Sequence, residues 1–557
     1  MVVFLLALAA TMSQAMTGPS LPAETAFAAP ANAAGALGLY PATDFSVALG
    51  SASAQLSSRQ AAWYFRAETI AVPRPGRPVA GFETGVRAFA DVRHWSDRRA
   101  VDASIDFPPL VWVAAPQIVR HAHLAEGGQV LAAPGGSLPF QVVPKIALNR
   151  SYYDASSVSF FQSRALTVRG ATTPGGFVAR SIWPEDFRFG KEAPDARALP
   201  AGPPAEALRA LMREEPRGGA GSPFSSATLW QRPGTPSDWA GRPVLALMVN
   251  GAQGDDDEAQ GGHFAIVTGR VQADGDIGDW IVNNFYSLDI ESEKGILAAP
   301  VPLNNYLGDL NAGQGWYRPS YMVVAVLRDE RAAALVQSAL NRVYHQFYRH
   351  QLVYYHPNQN CASISVDTLR ALGWDVPGRG PSSRVLAWVG YPYFALKEMS
   401  IDKARMAFDY LRTDQTRLMP AAALEEAFAS LLAMASTGAP RQDGVLAKML
   451  AQDLSALAFI RFPQFPSSRA FGDAPAVSTW EYQARLPKDP ALAQIVPVPP
   501  RAFPADLRDG DLLSAPWTPS DYATLVWSTV CLAGLALLLR WRWRARRRRL
   551  AEVNPAG

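Results

Sequence analysis

Cysteine is scarce in this chain: 557 residues hold two, Cys361 and Cys531. The first lies in YYHPNQNCASISVDTLRALGW, Tyr354 to Trp374, where a polar, proline-containing turn runs into Asn360-Cys361. Behind it Ala362, Val366, Leu369 and Leu372 recur at helical spacing, and Gly373 is a natural stop. Asn360 is a favourable N-cap. Cys361 therefore falls in the first helical turn, where unsatisfied backbone N–H groups and the helix dipole favour an anion. The thiolate is the reactive form of cysteine, and such a position lowers a thiol pKa from about 8.5. The same N–H groups suit the oxyanion of an acyl-transfer intermediate. The competing reading is a small buried hydrophobe, a common use of cysteine in cores.

A thiol nucleophile needs a base. Of the seven histidines, His263 opens the apolar stretch HFAIVTGRV directly after Gly261-Gly262. That places it at the end of a strand, facing a cleft. The stretch DWIVNNFYSL carries Asn283 and Asn284, adjacent residues that point to opposite faces of a strand. One of them is placed to accept from the imidazole and fix its tautomer. A turn centred between Asp274 and Gly275 gives Asn284 the face of His263; a bulge exchanges it for Asn283. His356, five residues before Cys361, is the alternative base, in an irregular turn. His345 and His350 fall on a long helix and read as surface or packing residues. His121 and His123 alternate, with no third ligand at a recognisable spacing, so no metal is assigned and no cofactor is expected. GDDDE, Gly254 to Glu258, lacks the calcium-loop pattern and reads as a solvated loop. Tyr344, Phe347, Tyr348, Tyr354, Tyr355 and Trp374 read as core packing, with groove lining as the second reading.

Positioning these groups takes a sheet and two helices. PVLALMVN (Pro243 to Asn250), HFAIVTGRV, DWIVNNFYSL and SYMVVAVLRD (Ser320 to Asp329) read as strands. Val336, Leu340, Val343 and Phe347 mark one face of a long helix over residues 330–349. The expected class is α+β, with an antiparallel-sheet core at residues 243–380. Residues 40–195 read as a β-rich N-terminal domain, 196–242 as a Pro/Gly-rich linker and 381–462 as a helical extension.

The order of parts is a histidine opening a strand, a polar residue on the next strand, a long helix, then Asn-Cys opening a helix. It resembles the circularly permuted papain-like fold of lecithin–retinol acyltransferase-like proteins and permuted NlpC-type cysteine peptidases. Bacterial periplasmic domains of the Lnb N-terminal type are the nearest in flavour. GGHFAIV, WIVNNFY and NQNCASISVDTL carry the resemblance, which covers roughly residues 243–375. It implies Cys361 as nucleophile, His263 as base and Asn283 or Asn284 as orienting residue. In that superfamily the third position is often histidine or another polar group.

Composition is that of a globular chain: 48% hydrophobic, 18% charged and a net charge of +3 give no ground for nucleic-acid binding. The apolar run Val2 to Met12 suits a signal-peptide core, with residues 1–15 as the signal, although a basic region before it is missing. Tyr522 to Leu539 is an uncharged run of 18 residues, followed by the arginine-rich tail 540–557. It reads as a transmembrane helix with a cytoplasmic C-terminus, preceded by a juxtamembrane segment, 463–520. The expected protein is a single-pass bacterial inner-membrane protein with its bulk in the periplasm. Its expected function is that of a cysteine hydrolase or acyltransferase, acting through a thioester on an envelope peptide, lipoprotein or lipid. The alternative is a non-catalytic envelope scaffold.

Overall fold

The computed structural model describes residues 47–49, 60–65, 68–73, 88–97, 117–143, 153–214, 223–251, 262–286, 290–291, 298–316, 318–348, 352, 354–438, 444–466, 501–502, 526–527, 530 and 533–546. The signal-like N-terminus, the GDDDE stretch, His350 and Cys531 lie outside these residues, as do the side chains of His345, Phe347 and Tyr348.

The N-terminal part opens with β1 (Val47–Leu49), β2 (Gln60–Phe65) and β3 (Glu68–Pro73), an antiparallel sheet in the order β1-β3-β2, followed by helix α1 (Ala88–Asp97). A closed barrel follows. It is built from β4 (Gln117–Ala125), β5 (Val130–Ala133), β6 (Gly136–Val142), β7 (Leu166–Thr173) and β8 (Gly176–Pro184), with helix α2 (Ala155–Gln162) between β6 and β7. The barrel strands pair antiparallel except β6 with β8. In β4 the register slips between Val119 and Ala122, His121 takes φ 54°, and its Nδ1 lies 2.8 Å from Glu185. That irregularity interrupts the simple alternation of His121 and His123.

Helix α3 (Pro204–Arg213) leads to the main sheet. Its strands are β9 (Ser225–Gln231), β10 (Pro243–Asn250), β11 (His263–Arg270), β12 (Ile281–Asn284), β14 (Ala299–Pro302), β15 (Ser320–Leu327) and β16 (Leu454–Phe462). A short pair, β13 (Ile290–Glu291) and β17 (Arg501–Ala502), stands apart. The seven strands run antiparallel in the order β14-β12-β11-β10-β15-β16-β9. All eight residues of β10 and all eight of β15 are buried. Runs such as VLALMV and YMVVAVL lack the polar alternation of a half-exposed strand, so both faces require cover. That cover comes from α5 (Arg331–Tyr348) against β10 and β11, and from α10 (Pro420–Thr437) against β10, β11 and β15. Between them in sequence lie α6 (Cys361–Ala371), α7 (Arg384–Lys397), α8 (Ile401–Arg412) and α9 (Gln415–Leu418). A short α4 (Leu303–Gly308) follows β14, and α11 (Val445–Asp453) feeds directly into β16.

The sheet reaches beyond residues 243–380: β9 comes from the stretch expected as linker, and β16 from the stretch expected as a helical extension. Buried ion pairs join it to the barrel. Arg180 Nε donates to Asp309 Oδ2 at 2.6 Å, and Arg169 reaches Asn304 at 2.8 Å and Asp279 at 3.1 Å.

The observed class is a mixed α+β fold of antiparallel sheets with helices mostly toward the C-terminus. It corrects the expected class in one major respect. Among the described residues no helix is long and apolar enough to cross a membrane. Within the expected span 522–539 the longest described helical stretch starts at residue 533 and continues through 546, into the arginines. The single-pass inner-membrane placement, the periplasmic location and the membrane as partner all rested on that span, and they are corrected with it.

Candidate functional site

Asn360 begins the site. Its Oδ1 accepts from the backbone N–H of Ala362 and of Ser363, both at 2.9 Å, and Ser363 Oγ accepts from the Asn360 N–H at 2.7 Å. This reciprocal cap satisfies N–H groups that a helix start leaves open. Asn360 Nδ2 donates to His356 O at 2.7 Å, tying the helix to the turn before it. Cys361 is thereby fixed as the first residue of α6, only 5% exposed.

The sulfur meets β11 at its first turn of chain. The Phe264 backbone N–H, next to His263, the Tyr354 hydroxyl and the Ala362 backbone N–H are donors that favour its anion. Burial pushes the thiol up from its ordinary value, while these donors and the Arg318 guanidinium act in the opposite sense. The balance favours a protonated thiol in the closed site, since removing water penalises the anion more than these groups restore.

His263 is 7% exposed. Burial, and after it the charge of Arg318, pull its pKa down to about 3, while the Asn284 side chain favours the protonated form. Its Nε2 is buried with no hydrogen-bond partner among the described residues. The imidazole is thus neutral near pH 7, with one ring nitrogen open to receive a proton. Its ring centre stands 6.4 Å from that of Tyr306, whose hydroxyl donates to Asn250 Oδ1 at 2.5 Å. Asn250 lies directly across from His263 in the β10–β11 register, and its Nδ2 donates to Ser320 Oγ at 2.7 Å on β15. Polar residues therefore line one end of three adjacent strands.

The two asparagines have different surroundings. Asn283 pairs with Ile266 in the β11–β12 register. Ile266 is three residues from His263, so Asn283 faces away from the imidazole and Asn284 shares its side. Asn283 exchanges hydrogen bonds with Gln337 of α5 at 3.0 and 2.8 Å, and Thr268 donates to the same glutamine at 2.6 Å. That buried amide network fastens α5 to the sheet. From the same helix, Tyr344 Oη donates to the Asn284 backbone carbonyl at 2.8 Å. The register therefore puts Asn284 on the face of His263 and Asn283 in the helix–sheet contact, while Asn360 caps the helix that Cys361 opens. His356 is exposed in the turn, with its ring edge-on to Tyr354 at 5.2 Å.

Arg318, Tyr306 and Asn250 were not singled out from the sequence. Arg318 sits in YRPS and Tyr306 in LNNYLG, stretches without a motif; only the sheet brings them beside His263. Two open grooves lie elsewhere. One of about 810 Å3 borders Pro243, Arg270 and Arg328 at the opposite end of the sheet, and one of about 740 Å3 borders Arg209, Arg379 and Glu425. Among the described residues no group of three or more His, Cys, Asp or Glu is placed to hold a metal ion.

No protein-family model, no curated protein and no solved structure matches the chain. The membrane-anchored periplasmic hydrolase or acyltransferase, with its envelope peptide, lipoprotein or lipid substrate, loses its ground here, because location and substrate were both inferred from the anchor. The envelope scaffold rested on the same anchor and is corrected with it.

Proposed function

We propose that Cys361 is a nucleophile, with His263 as its proton acceptor and Asn284 as the residue that orients the imidazole. The protein then performs thiol-dependent covalent chemistry on an electrophilic carbon. In the step, the Sγ proton passes to Nε2 of His263, the sulfur lone pair forms an S–C bond, and the displaced π pair of the carbon moves onto its heteroatom. The reading goes with the resemblance to permuted papain-like domains, in which histidine precedes cysteine in the chain.

One observation carries it. Cys361 is buried at a capped helix start, and the buried His263, whose Nε2 has no hydrogen-bond partner among the described residues, opens a strand packed against that helix and shares its face with Asn284. A cysteine kept only as a core filler needs none of these polar neighbours, and burying them without use is costly.

Alkylation of the full chain by iodoacetamide, read at the peptide containing Cys361 by mass spectrometry, tests it. His263→Gln, which keeps the volume and polarity of the site, is expected to slow labelling at pH 7 by about tenfold or more. Equal rates in wild type and His263→Gln, with unchanged thermal stability, overturn the proposal.

A further inference from the structure

The row of the sheet that contains His263 is polar, and the rows behind it are not. His263 of β11 stands opposite Asn250 of β10, which stands opposite Ser320 of β15. Residues directly opposite in antiparallel strands share a face, with Cβ atoms about 4.5–5.5 Å apart. All three are buried, Asn250 and Ser320 completely. Two residues further along, the same face carries Ala265, Met248 and Met322, and two further again Val267, Ala246 and Val324. Packing alone would continue that apolar face to the strand ends, because a buried amide is costly unless its hydrogen bonds are met. Those of Asn250 are met from two directions. Its Oδ1 accepts from Tyr306 Oη at 2.5 Å, and its Nδ2 donates to Ser320 Oγ at 2.7 Å. The Tyr306 ring, carried by α4, is centred 6.4 Å from the imidazole. The amide of Asn250 is thus fixed at both of its polar atoms and stands on the β10 side of His263, while Asn284 stands on the β12 side.

We infer that Asn250 is a positioning residue for His263, locked by Tyr306 and Ser320 so that the imidazole is held between neutral amides of two neighbouring strands. This rests on the reading of His263 as proton acceptor and adds the residues that fix its place. A neutral amide confines the ring without charging it. A carboxylate at the same place would favour the imidazolium. It would also keep its hydrogen bonds, because Tyr306 already donates and the Ser320 hydroxyl can turn to donate. The charge acting on the imidazole is that of Arg318, which every variant below keeps.

In the full chain, the His263 ring is titrated by NMR, its signal assigned by its loss in His263→Gln. Asn250→Asp is expected to raise the titration midpoint by about one unit or more. Tyr306→Phe keeps the aromatic ring and frees the Asn250 amide, and iodoacetamide labelling of Cys361 at pH 7 is expected to slow by about threefold or more. An asparagine that only packs would alter stability and leave the midpoint in place. A midpoint in Asn250→Asp equal to that of wild type overturns the inference, and so does labelling of Tyr306→Phe at the wild-type rate. If Asn250→Asp fails to fold, Tyr306→Phe alone decides. Slower labelling in His263→Gln beside an unmoved midpoint in Asn250→Asp removes only the role of Asn250. Wild-type labelling in His263→Gln removes the proton-acceptor reading and this inference with it.

Discussion

His263 is neutral because its surroundings exclude water and hold a buried cation, Arg318, nearby. That has a measurable cost at low pH. Above its ordinary value of 6.5 the ring is neutral in folded and unfolded chains alike. As pH falls below 6.5 the unfolded chain takes up a proton that the folded site refuses until about pH 3, so native stability declines across that window. Between pH 7 and pH 4.5 wild type is expected to lose about 2–3 kcal/mol more urea-unfolding stability than His263→Gln. An equal loss in both would show that the histidine is not the group excluded from protonation. At this scale Cys361 and His263 were legible in the sequence, because each opens an apolar element. The choice between Asn283 and Asn284 was not, since it depends on the register of β12 against β11. Arg318 was not either, because a charge in a loop carries no periodic signal.

Among the elements, α6 is the one whose start matters most. Asn360 closes both the first turn of the helix and the turn before it through one amide. Asn360→Ala is expected to lower stability by about 1–2 kcal/mol, and Asn360→Asp, which keeps the accepting oxygen, by less. Thermal unfolding of the two variants checks this; equal losses would mean that the amide donor to His356 O, not the cap, is what counts. The extent of α6 was readable from the spacing of small and apolar residues in NCASISVDTLRALG, with Asn360 before and Gly373 after. The strand β16 was not. LSALAFIRF follows α11 without a break, and its apolar residues fit a helix as well as a buried strand. Pairing with β15 and β9 decided the matter, and that pairing is a long-range fact.

In the whole molecule, barrel and sheet meet through buried charges. Arg180 is paired with Asp309, which is 1% exposed and whose Oδ1 also accepts from the N–H groups of Asn311 and Ala312. Arg180→Met leaves that carboxylate buried without its cation, at an expected loss of about 3–5 kcal/mol. Adding Asp309→Ala to it is expected to cost less than the sum of the two single changes, which a double-mutant cycle on urea unfolding measures. Strict additivity would show that the two groups do not act as a pair. The β-rich character of the N-terminal part was visible in its short apolar runs broken by proline and glycine. The barrel closure was not, since it depends on one parallel pair between β6 and β8 that no local pattern announces.

The place of β16 has a consequence for how the chain reaches this form. It lies between β15 and β9, yet it is made more than two hundred residues after β9 and ninety after Cys361. Until it arrives, β15 presents an unpaired edge and β9 has only its bridge to Ala196, so the nascent sheet is held open on one side. Assembly must therefore wait for synthesis to pass Phe462, and a chain cut short of that point keeps the edge of β15 open.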